Sequence, residues 1–172
     1  MIKKNLPVLA YLILAATANI VTTRGFELIG PYIMPIVAFI FIGVDITLRD
    51  KIHERWARKG LWWKMGFLIC GGSLLSWVTY PEAGQVALAS ALAFCGAGIV
   101  DTFIYHIVRK KSRRAAIHTS NVGSAAIDSL IFPFVAFGIL ALPIIAMQFA
   151  AKVAGGSIFE VVWHRVTKDS SK

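Results

Sequence analysis

An all-α integral membrane protein, a single bundle of six transmembrane helices with both termini on the cytoplasmic side, is the fold class that the sequence predicts. Three observations carry it. Of the 172 residues, 57% are hydrophobic and only 16% are charged, with a mean hydropathy of +0.69, which is too apolar for an ordinary soluble domain. The apolar residues gather into runs long enough to cross a hydrocarbon core about 30 Å thick, at roughly 20 residues per crossing. The basic residues fall in short clusters between alternate runs. Little chain is left for a soluble catalytic or nucleotide-binding domain, and no phosphate-binding Gly-Lys-Ser loop occurs. Any energy for work must then come from an ion gradient, a solute gradient or another chain.

The spans follow in order. The first is 6–23, closed by Arg24 and Gly25. The amino-terminal Lys3 and Lys4 followed by an apolar run resemble a secretory signal, but no small-residue cleavage site follows, so the segment reads as a retained first helix. Gly30-Pro31 breaks the chain and opens the second span, 31–48, in which Pro35 lies near enough to the start to be tolerated. The polar stretch 49–60 reads as an interfacial loop or a short amphipathic helix. The third span, 61–80, is rich in Gly and Ser (Gly66, Gly71, Gly72, Ser73, Ser76), which lets helix backbones approach closely. Pro81 to Gly84 forms a turn. The fourth span, 85–108, ends at the basic run 109–114, and the fifth covers 117–140. Pro143 marks a tight connection to the sixth, 144–163, which is followed by a polar tail.

Loops rich in Lys and Arg stay cytoplasmic. Lys3 and Lys4, the clusters 49–64 and 109–114, and the tail with Arg165, Lys168 and Lys172 segregate to one side when six spans are drawn, leaving Arg24 on the other. Trp56, Trp62, Trp63 and Trp163 then mark the inner boundary and Tyr32, Trp77 and Tyr80 the outer one. The net charge of +9 is therefore a topology signal and a contact with anionic lipid, and nucleic acid is not expected as a partner. Cys70 and Cys95 lie inside apolar runs and read as reduced, small hydrophobes. His53, His106, His118 and His164 lack the spacing of a ligand set, so no metal is expected. No cofactor is expected either. Nothing in the sequence resembles a buried Ser/His pair or the paired aspartates of an intramembrane protease, so the chain does not read as an enzyme.

A charge at the bilayer centre costs about 2.5 to 3.5 kcal/mol on insertion scales, so each one retained marks a candidate site. Asp101, Asp128 and Lys152 stand out in spans four, five and six. Residues three, four or seven apart share a helix face. That spacing groups Asn121, Ser124, Asp128 and Phe132 on span five and Gln148, Lys152, Gly155, Gly156 and Phe159 on span six. Phe94, Gly98, Asp101 and Tyr105 form the stripe of span four. A wet cavity between these faces would hold a small planar polar molecule. Asp128 and Lys152 read equally as a structural ion pair. Asp45 and Arg49, one turn apart on span two, read as a site or as a pair at the interface. Asn19, with Thr22 and Thr23, reads as ligand contact or as helix-to-helix hydrogen bonding.

The chain resembles the queuosine precursor transporters, also called the VUT or vitamin-uptake-type family. The resemblance rests on Ala18-Asn19-Ile20-Val21-Thr22-Thr23-Arg24, on the run from Phe39 through Asp45 to Arg49, on Asp101, on Ile127-Asp128-Ser129-Leu130-Ile131-Phe132 with Ala136-Phe137, and on Lys152. The chain departs from the family pattern at Gly98, where the family often has Gln three residues before the span-four Asp. The resemblance implies import of 7-cyano-7-deazaguanine or 7-aminomethyl-7-deazaguanine across the bacterial inner membrane. A carboxylate such as Asp128 or Asp101 suits the adjacent N–H donors of such a planar deazapurine. Lys152 or Gln148 suits its ring carbonyl, and Phe94, Tyr105, Phe132 or Phe159 its ring face. A substrate-binding subunit served by a separate energising complex and a non-transporting membrane interaction protein are the alternatives, and assembly as a homo-oligomer is left open.

Overall fold

The computed structural model describes residues 2–56 and 61–169. Among the described residues there are six α-helices and no strand: α1 (Ile2–Ile29), α2 (Ile33–Trp56), α3 (Leu61–Thr79), α4 (Gly84–Val108), α5 (Arg113–Phe137) and α6 (Leu142–Asp169). Two short 3-10 turns, Gly30–Tyr32 and Pro81–Ala83, join α1 to α2 and α3 to α4.

The helix ends follow local chemistry. Arg24 and Gly25, expected to close the first helix, lie inside α1. A single helical Gly weakens a helix by only about 1 kcal/mol relative to Ala. The chain turns instead at Gly30, whose φ of +63° suits a residue without a Cβ, and Pro31 follows at the start of the 3-10 turn. The polar stretch expected as a separate interfacial element continues α2 as far as Trp56; residues 57–60 lie outside the described residues. Ser112 caps α5, its Oγ accepting from Ala115 N at 3.4 Å, and Gly138 ends it in the left-handed conformation, its N–H donating to Phe134 O at 2.8 Å.

Three stretches among the described residues are long and apolar enough to cross a bilayer: Leu6–Phe41, Pro81–Val108 and His118–Phe137, with a shorter apolar helix at Leu142–Gly155. The first of these runs through the Gly30–Tyr32 turn and so takes in α1 and the first part of α2. Side chains are distributed inside-out for water. Leu28, Phe67, Ile99 and Phe103 face outward, whereas Asn19, Asp45, Ser76, Gln148 and Lys152 are buried. A lipid solvent explains both halves of that pattern, because apolar side chains lose nothing outside and polar ones must find partners inside.

Packing closes the helices into a ring in the order α1, α3, α4, α5, α6, α2 and back to α1. Helices α2 and α3, consecutive in sequence, make only slight contact. Close approach is set by small residues. At Gly155 a Cβ would stand 3.0 Å from Phe39 O, so α6 crosses α2 backbone to backbone there. Three apolar clusters fill the ring, the smallest formed by Val86, Ala89 and Ala136 between α4 and α5, beside two larger ones. Tyr11, Ile52, Met65 and Leu68 form one. Ile33, Met34, Val37 and Ile144 form the other, with Phe26, Phe132 and Phe137 packed on it. Phe26 and Phe137 are stacked, with centroids 3.8 Å apart and planes 2° from parallel. Beside that end Arg24 lies over the Tyr80 ring, 4.6 Å from its centroid. Tyr32 and Trp77 are exposed; the side chains of Trp56, Trp62 and Trp163 lie outside the described residues.

Candidate functional site

Beside the two larger apolar clusters lies a cavity of about 80 Å³ to which all six helices contribute. Its wall is mostly apolar, which leaves the few polar groups to set what it accepts. Helix α5 brings Asp128 and Phe132, α6 brings Gln148 and Lys152, α2 brings Asp45, α1 brings Asn19 and Thr22, and α4 brings Phe94. Tyr11, which belongs to one cluster, and Phe132, packed on the other, both border it.

Lys152 Nζ donates to Asp128 Oδ2 across the α5–α6 contact. Both charges are largely withdrawn from solvent, with side-chain exposures of 4% for Lys152 and 13% for Asp128. Depth explains the meeting. Asp128 lies nine residues before the end of α5 and Lys152 ten after the start of α6, so both sit roughly 13 to 15 Å inward from the same turn, at 1.5 Å per residue. Gln148, one turn before Lys152, is also buried, and its Oε1 has no hydrogen-bond partner among the described residues. Asp45 borders the cavity from α2 at 5% exposure. The side chain of Arg49, its expected neighbour, lies outside the described residues, as does that of Phe159.

Asn19 acts as a clamp. Its Nδ2 donates to Ser76 Oγ on α3 at 2.9 Å, and its Oδ1 accepts from Ser90 Oγ on α4 at 2.7 Å. Ser76 Oγ in turn donates to Gly72 O at 2.8 Å. Of the two readings open for Asn19, helix-to-helix bonding is thus made, while the carboxamide keeps one donor and one lone pair in reserve. Thr22 and Thr23 donate back to the carbonyls of Ala18 and Asn19, at 2.8 and 2.9 Å.

Asp101, Tyr105 and Asn121 do not line this cavity. Asp101 and Tyr105 are half-buried and Asn121 is exposed. Gly98, the departure from the family pattern, is likewise outside the lining. All of them share a face with a lining residue but sit nearer the α4–α5 connection. Asp101 is seven residues beyond Phe94 and Asn121 seven before Asp128, an offset of roughly 10 Å along each axis. Sequence reasoning missed Tyr11, Ser76 and Ser90. Tyr11 stands on the same stripe of α1 as Ala15, Asn19 and Thr22, so that spacing was the available signal. A Ser in an apolar run gives none, because back-bonding to its own helix satisfies it equally well.

A family model described as "Putative vitamin uptake transporter" matches residues 33–164. Comparison with curated proteins and with solved structures gives no significant match.

Proposed function

The chain belongs to the vitamin uptake transporter family, and on that premise we propose that it imports a 7-deazaguanine precursor of queuosine, 7-cyano-7-deazaguanine or 7-aminomethyl-7-deazaguanine, across the bacterial inner membrane. The observation that carries the reading is the Asp128–Lys152 pair inside a cavity bordered by every helix of the ring. A buried pair is a poor stabiliser when apolar residues of similar volume would serve as well. A binding site, by contrast, needs a carboxylate held ionised, with a partner that ligand donors can join or replace. The guanine-like edge of a deazapurine offers such donors, and Phe94 and Phe132 offer apolar faces to its ring. In this reading α1 to α6 each cross the membrane, with both termini and the 109–114 loop in the cytoplasm.

The test is uptake of labelled precursor by cells lacking their own importer, with and without an ionophore. Uptake above the vector control that is lost in Asp128→Asn at matched membrane expression supports the reading. Uptake equal to the control removes it. Orientation is tested by single-cysteine labelling in a Cys70→Ala/Cys95→Ala background: Ser112→Cys reacts only after permeabilisation, and labelling in intact cells would reverse the topology.

A further inference from the structure

The proposed substrate class does not by itself say which side chain reads which atoms. Among the described residues, one buried acceptor on the cavity wall is unsatisfied. Gln148 is 3% exposed, lines the cavity, and leaves Oε1 without a donor. Asp128 commits Oδ2 to Lys152, and among the described residues Oδ1 receives no donor. A buried carbonyl oxygen left unpaired costs more than a made hydrogen bond returns, so the empty acceptor on Gln148 asks for an N–H from whatever fills the cavity. Among the described residues none supplies it.

Resting on the function proposed above, we propose that Gln148 is the specificity-determining residue of the site and reads the lactam edge of the ligand. Its Oε1 accepts from the ring N–H and its Nε2 donates to the adjacent ring carbonyl, the two-bond pairing open to a primary carboxamide and a cis lactam. Asp128 Oδ1 takes the exocyclic amine next to that N–H, so Lys152 keeps its place on Oδ2. This arrangement accounts for all three polar groups along one edge of a 2-amino-lactam heterocycle without abandoning either buried charge. The ligand class is therefore wider than deazapurines and includes any planar ring of that edge, such as a pterin. The required feature is the ring N–H beside the ring carbonyl, and a ring lacking both of these groups is discriminated against.

The experiment uses the full chain in lipid nanodiscs and measures equilibrium binding of 7-cyano-7-deazaguanine and of pterin. Each is set against its counterpart lacking the ring carbonyl and N–H, 2-amino-7-cyano-7-deazapurine and 2-aminopteridine. The unaltered protein prefers the lactam member of a pair by roughly 10- to 100-fold, the size of one buried polar pairing. Gln148→Leu and the more conservative Gln148→Met bring that ratio close to one, the loss falling mainly on the lactam member of each pair. An undiminished ratio in either folded variant overturns the assignment of Gln148 and leaves the transport reading standing. Binding of pterin alone overturns the deazapurine reading and leaves Gln148 to be judged on the pteridine pair. Absence of binding to every lactam overturns both.

Discussion

At the scale of single residues, the Asp128–Lys152 pair makes the sharpest claim. Asp128→Asn leaves Lys152 buried without its counter-charge, and removing one member of such a pair commonly costs about 3 to 5 kcal/mol. The loss of one charge-assisted hydrogen bond to the ligand, about 1.5 to 3 kcal/mol, lowers precursor affinity by roughly 10- to 150-fold. Lys152→Met weakens binding less than Asp128→Asn, because Lys152 supports the carboxylate while the carboxylate meets the ligand. The double variant Asp128→Asn/Lys152→Met unfolds at a higher temperature than either single variant, since no charge is then stranded; thermal unfolding in detergent checks this. Asp101→Asn, in contrast, leaves binding within roughly twofold of the original, because Asp101 does not border the cavity; a tenfold loss in the same binding measurement would contradict the placement. The sequence made Asp45, Asp128, Gln148 and Lys152 visible for a simple reason: a polar group inside an apolar run must have a partner within the protein. The same reasoning also flagged Asp101, Tyr105 and Asn121. Helical spacing reports the face a residue occupies and says nothing of its depth relative to other helices, and these three share a face with lining residues while standing outside the lining.

At the scale of elements, the α2–α6 crossing is the most demanding contact. Gly155 stands where a Cβ would lie 3.0 Å from Phe39 O and 3.6 Å from Phe39 Cα, so backbone rather than a movable side chain opposes any substituent. Gly155→Val forces α6 away from α2 and displaces Lys152, one turn back on the same helix, from Asp128. The expected outcome is a loss of precursor binding of tenfold or more together with a lower unfolding temperature, whereas Gly98→Ala, with nothing within 4 Å of its Cβ position, changes neither. Both effects are read from one set of nanodisc samples. Gly155 was legible as a gap in a polar stripe, but its partner was not, since Phe39 contributes backbone and no sequence pattern marks a backbone contact. Helix ends show the same limit. The Gly30-Pro31 break was legible because Gly takes a positive φ and Pro follows it. The passage of α1 through Arg24 and Gly25 was not, since packing against α2 outweighs a small propensity cost.

At the scale of the whole molecule, the two larger apolar clusters both border the cavity, one through Tyr11 and the other through Met34 and Val37. The stacked Phe26 and Phe137 pack on the second of these. Phe26→Ala/Phe137→Ala removes both rings and opens that cluster; a cysteine placed at Ser73, which borders the cavity, should then react with a hydrophilic maleimide several-fold faster than in the unaltered ring. Unchanged reactivity would show that passage lies elsewhere. The family and the helical, lipid-facing character of the chain were legible from composition and a few residues. The ring order was not, because it depends on long-range contacts that an alternation of apolar runs leaves free.

That ring order bears on how the protein is made. A chain leaves the ribosome from its amino end at roughly 5 to 20 residues per second, so α2 and α5 are both present before α6, the helix that lies between them. Until α6 arrives, Asp128 has no Lys152, and the α2 surface that will face Gly155 has no neighbour. Nascent α1–α5 is thus an open arc with a charged seam, and the last helix acts as its keystone. The counter-ion and the carboxamide of the proposed site arrive together on the segment that seals the ring, so closure of the fold and completion of that cavity are one event.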